Sequence, residues 1–363
     1  MNFYISIVSK ALIQFPIVAF LLTLPYVFYC YRKYGSISPL RSFIVFSFIF
    51  YMQCAYYMVI LPLPGPTELA GQPDLTPQLI PFMFIADLIK DSSFNPAEPS
   101  TYIAALKEMC LLQPLFNIVL TIPFGVYLSY YFGKDLKRVI IYSFLLSLFF
   151  ELTQLTGLYG IYMKPYRLFD VDDLMLNTLG GALGYYISIP IKSWLPSSDK
   201  INRASWLRAS NVGFTRRLCA YMIDYAIVVG ITFGMTALFG KELYQVCYAA
   251  VVLVYFIAQP AVFGGKTLGK RFVRIKLEGT NSDKRFILNL AARYGSREAV
   301  FIYMQSFQTI RRIVGVKYID IFLVIHMLIA LFYLIDFILS LRREKRLWYE
   351  MISKTRNVNT LHM

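Results

Sequence analysis

Apolar residues run in long unbroken stretches along this chain, and polar residues collect between them. Eight stretches reach the roughly 20 residues that a membrane-spanning helix needs. They are 11–31, 43–63, 111–132, 139–158, 174–195, 218–239, 243–263 and 318–341. One segment, "RFVRIKLEGT", alternates apolar and basic residues instead and predicts a small cytoplasmic hairpin. Between the second and third runs, Pro64, Pro66, Pro73, Pro77 and Pro81 argue against a long helix. Short interfacial helices such as "PQLIPFMFIADLIKD" are predicted there. The expected fold is an all-α polytopic membrane protein of about eight helices in two bundles. The composition change at "WLPSSDKINRASW" marks the boundary. It divides the chain into a membrane domain at 1–195 with an added N-terminal helix, a cytoplasmic linker at 196–211 and a second membrane domain at 212–358.

Orientation follows from the basic residues. Arg32, Lys33 and Arg41, then Lys134, Lys137 and Arg138, then Lys192 to Arg217 fill alternate loops, which places those loops in the cytoplasm and the 62–110 loop outside. Acids outnumber lysines in that outer loop, in agreement. At the C-terminus the rule conflicts with the run count, because the eighth run would carry Arg342 to Arg346 outward. An extra membrane excursion within 286–310, a stretch that carries Arg293 and Arg297, would return the chain to the cytoplasm.

Composition supports the membrane reading. Of 363 residues 57% are hydrophobic and 16% charged, too apolar for one or two soluble cores. The formal net charge of +15 fits basic loops against anionic lipid, so membrane lipids are expected partners and nucleic acid is not. The five cysteines are scattered and the histidines are His326 and His362. That gives no zinc cage and no disulfide framework, and neither metal nor cofactor is expected. "GGKTLGKR" has P-loop glycines and Lys270, but Arg271 stands where a Ser or Thr is needed. A basic turn against lipid headgroups is the better reading.

Glu151 interrupts the fourth run. It lies about 18 Å along a helix from Val139, with Gln154 on the same face. Asp170, Asp173 and Asn177 share a face of the next helix, and Asn177 lies about 10 Å deep. Glu151, Gln154, Asp173 and Asn177 are therefore expected to converge in a pocket open to the outside. Arg167 on the connecting loop is close enough to pair with a carboxylate, and a purely structural Glu151–Arg167 pair is the plainer alternative. Asp170 has the position of a helix N-cap, and Asp172 suits the first turn. An ionisable group at this depth is a functional candidate by default. Gly180 and Gly184 have the spacing of a close helix contact.

The order Ser147, Glu151, Gln154, Arg167, Asp170, Asp173, Asn177, Gly180, Gly184 resembles the VanZ-like family, as does the preceding "FNIVLTIPFGVY" with Asn117, Pro123 and Gly125. The resemblance covers about 57–189. It implies a link to teicoplanin-type glycopeptide resistance in Gram-positive bacteria, which is a phenotype and not a reaction. "GFTRRLCAYMIDYAIV", "GGKTLGKRFVRIKL" and "RRLWYEMISKT" resemble the RDD family over about 212–358. Its polar cluster would comprise Arg217, Asp224 and a second acid, for which Glu350 and Asp336 are both open. The resemblance implies transport for some members.

Three functions compete. The first is a non-enzymatic cell-membrane protein whose acidic pocket engages a glycopeptide antibiotic or a lipid-linked wall precursor. The second is a proton-coupled transporter or flippase of an envelope lipid or small solute. The third is an intramembrane enzyme with Glu151 or Asp173 as base and Arg167 holding a phosphate. No catalytic residue is assigned, and the oligomeric state is open.

Overall fold

The computed structural model describes residues 2–65, 75–95, 97–279, 285–296, 298, 319–340 and 347–361. Among these, seven helices are long and apolar enough to cross a membrane. They are α1 (Asn2–Tyr34), α2 (Pro39–Ile60), then, beyond a short α3 (Met83–Asp91), α4 (Met109–Tyr130), α5 (Leu136–Leu155) and α6 (Val171–Trp194). After α7 (Ser198–Ala209) come α8 (Phe214–Phe239) and α9 (Lys241–Val262). The eighth apolar run is also helical, as α11 (Ile319–Ser340), which follows the five-residue α10 (Leu268–Phe272). The expected all-α polytopic architecture is present.

Local chemistry sets the helix limits. α2 opens with Pro39 at its first position, where no intrahelical N–H is required. It stops at Leu61, held extended before Pro62. α6 opens on Asp170, whose carboxylate caps the Asp172 N–H at 2.8 Å.

The chain forms two compact units, Met1–Thr23 with Ser38–Asn202 and Leu24–Ile37 with Arg203–Met363. The stretch expected as a linker holds α7, a helix that spans the division at Asn202 and Arg203.

In the first unit α6 lies against both α4 and α5 at backbone distance. A Cβ on Gly184 would overlap the Ile122 carbonyl, one on Gly180 the Ile118 carbonyl, and one on Gly181 the Ser143 hydroxyl. Gly125 of α4 faces the Gly181 carbonyl in the same way. The expected glycine contact is thus real, and its partner is α4. α3 occupies part of "PQLIPFMFIADLIKD" and buries none of its residues. Leu79, Ile80, Phe82 and Ile89 around it are exposed.

In the second unit, β1 (Ile275–Gly279) pairs antiparallel with β2 (Thr355–Asn359), Ile275 opposite Asn359 and Gly279 opposite Thr355. The strand expected in "RFVRIKLEGT" is formed, and its partner is a segment far downstream. Gly265, at φ 81°, turns the chain after α9 into Leu277, with its Cα too close to the Leu277 carbonyl for any side chain. Residues 286–296 are helical and pack on α9, where Tyr294 stacks on Phe256 with centroids 4.7 Å apart. The rest of the proposed 286–310 excursion, Glu298 excepted, lies outside the described residues, as do Arg342 to Arg346. α9 contains a π-helical turn at Leu253–Ala258. A short α12 (Trp348–Ile352) precedes β2.

Candidate functional site

Each unit gathers buried carboxylates, and the two gatherings differ in how fully their own chain satisfies them. In the first unit Glu151 is 3% exposed and its Oε2 accepts the backbone N–H of Asp170 at 3.0 Å. Asp173 accepts from the Asn117 amide. Asn177 donates to Ser147 Oγ at 2.9 Å, and its backbone carbonyl accepts from Thr121 Oγ1 at 2.7 Å. The other side-chain atom of that amide, Oδ1, is buried with no hydrogen-bond partner among the described residues. Gln154 donates to the Val59 carbonyl at 2.9 Å. The expected set surrounds the packed ends of α5 and α6, but each member is anchored to a different neighbour.

Arg167 differs from the expectation of a carboxylate partner. Its guanidinium donates to the carbonyls of Val59 at 2.8 Å and Leu61 at 3.0 Å. These carbonyls end α2, where the helix leaves its last acceptors open. No Glu151–Arg167 ion pair within 4.0 Å is formed among the described residues, so the plain structural pair is not the reason Glu151 is tolerated.

Asp170 caps α6 as its position suggested. Burial, joined by the neighbouring Asp172 carboxylate, raises its carboxyl above the usual range. Asp172 does more than suit a helix dipole. Its two oxygens accept the N–H groups of Phe82 at 2.6 Å and Phe84 at 2.8 Å. Gln78 adds backbone bonds to Phe169 and Val171 at 2.8 and 3.1 Å. Together they fasten the segment before α3 to the start of α6. No sequence signal identifies this clamp, since its partners are backbone groups 88 and 90 positions away.

In the second unit Glu350, and not Asp336, is the acid that hydrogen-bonds to Arg217. Arg217 Nη1 donates to Glu350 Oε2 at 2.7 Å. Arg293 holds the other oxygen at 2.9 Å, and Asn357 donates to it at 2.6 Å. Asp336 instead accepts the Trp348 backbone N–H at 3.3 Å. Glu350 is buried, which by itself would raise its carboxyl, yet the Arg293 and Arg217 guanidiniums outweigh this and hold it below the usual range.

Asp224 does not pair with Arg217 despite sharing a helix face with it. It is fully buried and accepts from Tyr255 at 2.7 Å, Thr267 at 2.6 Å and the Gly269 N–H at 2.7 Å. The Lys270 ammonium stands 4.0 Å away and donates to Tyr294 at 2.8 Å. Of the basic residues of "GGKTLGKR", Lys270 is buried and withdrawn from any headgroup, whereas Arg271 is exposed and Lys266 half-buried. In the same segment Thr267 caps α10 and Gly269 is used on Asp224. Arg216, counted in the sequence as a loop cation, is 1% exposed and donates to the carbonyls of Val273, Ala209 and Arg274 and to Asn359 Oδ1, at 2.9 to 3.1 Å. Arg293 had one signal, a charge inside a short apolar stretch. Arg216 had none, since a loop arginine and a buried one read alike.

These observations define a polytopic helical membrane protein with a buried acid cluster in each of two units. Residues 48–192 match the family model for VanZ/LLP1, and residues 212–354 match that of the RDD family. The chain is a fusion of a VanZ-like region with an RDD region. No curated protein and no solved structure matches it.

Proposed function

We propose that the protein is a non-enzymatic protein of the cell membrane that lowers susceptibility to teicoplanin-type glycopeptides, and that the Glu151–Asp173 cluster, facing outward, engages the ligand. The VanZ likeness supplies the link to glycopeptides. The observation that carries the site is its unspent acceptor capacity. Glu151 and Asp173 each receive one hydrogen bond among the described residues, whereas Asp224 receives three with an ammonium nearby. A carboxylate has about four acceptor positions. Acceptors left open by their own chain, one buried on Glu151 and one half-buried on Asp173, suit a ligand that brings N–H or O–H donors, as glycopeptides and lipid-linked wall precursors both do. The enzyme reading loses support because Arg167, its phosphate holder, is occupied by the Val59 and Leu61 carbonyls.

The test is Glu151→Gln, compared with the unaltered protein for the inhibitory concentration of teicoplanin in a susceptible Gram-positive host. The expected result is a fall to the level of cells lacking the protein, at equal amounts in the membrane. Unchanged resistance at equal amounts would overturn the reading.

Transport is the second reading, favoured by Asp224 on the spanning helix α8, which stands 4.0 Å from the buried Lys270 ammonium and accepts from Tyr255 of the π-helical turn. Proton flux in proteoliposomes, lost in Asp224→Asn, would support it over the first.

A further inference from the structure

The second unit contains a cavity of about 230 Å³ that reaches from Arg217 in the first turn of α8 to Asp224. The two lie about 10 Å apart along the helix. Lys270 and Arg293 also line it, with Tyr333 and Tyr349 among its aromatic walls. Arg217 and Arg293 share the single carboxylate of Glu350, and Asp336 is held by the Trp348 N–H. Arg217 uses Nη1 on Glu350 and makes no other hydrogen bond among the described residues. A guanidinium with free donors, in a cavity that a second guanidinium and an ammonium also line, is suited to a phosphate.

A groove of about 280 Å³ adjoins this cavity and shares Tyr333 with it. Its lining is apolar apart from the edge of Trp348, and consists of Ile325, Leu328, Ile329 and Phe332 on one face of α11. From Tyr333 to Ile325 the groove runs about 12 Å along the helix. Leu328 is 60% exposed and Phe332 48%. A basic chamber at a helix end, continuous with an apolar track along a membrane helix, has the two-part chemistry of an amphiphile. A free phosphate would leave the track empty, and a hydrocarbon would leave the guanidinium donors unmet.

We propose that the second unit binds one anionic phospholipid, its phosphate seated on the free donors of Arg217 in the chamber that Arg293 and Lys270 also line, and one acyl chain laid along α11 from Tyr333 to Ile325. The site is independent of the reading of Glu151. The size agrees with this occupant, since the chamber is smaller than a drug-sized pocket of 300 Å³ or more and suits a headgroup alone. Binding here would tie the conformation of the Arg217–Glu350–Arg293 cluster to the charge of the surrounding lipid.

Native mass spectrometry of the full chain, delipidated in detergent and then given phosphatidylglycerol or phosphatidylcholine, tests it. The expected result is one retained phosphatidylglycerol per chain, at about tenfold preference, or 1.4 kcal/mol. Arg217→Gln should abolish that preference. Because this variant also removes the partner of Glu350, Leu328→Trp provides a second arm. It fills the exposed groove, and should reduce retention of phosphatidylglycerol about tenfold with an unchanged melting temperature. Equal retention of the two lipids would overturn the proposal. So would displacement by inorganic phosphate together with unaltered binding in Leu328→Trp, which would make the chamber a site for free phosphate.

Discussion

Arg217 and Glu350 meet at 2.7 Å although 133 positions separate them, and both side chains are close to fully buried, 11% and 3% exposed. The pair fixes the start of α8 against α12, and Arg293 holds the same carboxylate from the helix at 286–296. Removing one member leaves buried charges without their counterpart, which costs about 3 to 5 kcal/mol. Glu350→Gln is expected to lower the melting temperature of the purified protein markedly. Arg217→Lys, which keeps a cation, should lower it less. An unchanged melting temperature in Glu350→Gln would mean that the cluster does not hold the unit together.

The same carboxylate sets a pH dependence. Its folded value lies below the ordinary one of about 4.3, so its contribution is complete above that ordinary value and is lost as the pH falls through the folded one. Acid should therefore destabilise the unaltered protein more steeply than Glu350→Gln. Parallel melting curves from pH 6 down to about 3 would contradict this.

The glycine contacts of α6 make a paired prediction. Gly181→Ala collides with the Ser143 side chain, and Gly184→Ala with the Ile122 backbone carbonyl. Each should cost about 1 to 3 kcal/mol. Ser143→Gly should rescue Gly181→Ala, since it removes the colliding atoms, and should not rescue Gly184→Ala. Rescue of both, or of neither, would show the packing to be otherwise arranged.

Asp172→Ala removes the acceptor of the Phe82 and Phe84 N–H groups. Two half-exposed donors lose a charged partner, at a cost near the lower end of the about 1.5 to 3 kcal/mol that such a bond is worth. Hydrogen exchange should rise in the 78–91 segment and stay unchanged in α4. Equal protection of the 78–91 segment in Asp172→Ala and the unaltered protein would remove the clamp from the account.

Sidedness follows from the basic loops. Cysteine placed at Ser92 should react with an impermeant reagent on intact cells, and cysteine placed at the exposed Asp199 should react after lysis. The reverse pattern would invert the topology.

The sequence made the helices legible because spanning runs are set by bilayer thickness and need no tertiary information. Gly180 and Gly184 were readable for the same local reason. Glu151 stood out because a carboxylate in an apolar run is costly wherever the chain folds. What could not be read was pairing. Arg167 had carboxylates nearby in sequence, yet the open carbonyls at the end of α2 took it. Asp224 and Arg217 share a helix face, yet each was claimed by groups from other elements, Tyr255 and Thr267 for one and Glu350 for the other. β1 carried its own alternation, and nothing local to it named Thr355–Asn359 as its partner.

The order of synthesis gives that last pairing a further meaning. β1 waits for β2 while about 75 residues are added, which at 5 to 20 residues per second is about 4 to 15 seconds. For most of that interval Arg216, Arg217 and Arg293 have been made, and Glu350, Thr355 and Asn359, which accept from them, have not. The segment from Glu350 to Asn359 thus supplies acceptors for cations laid down earlier. Until residue 350 is added, Arg217 and Arg293 lack the one carboxylate they share, and a nascent chain is marked as unfinished by those two uncompensated charges.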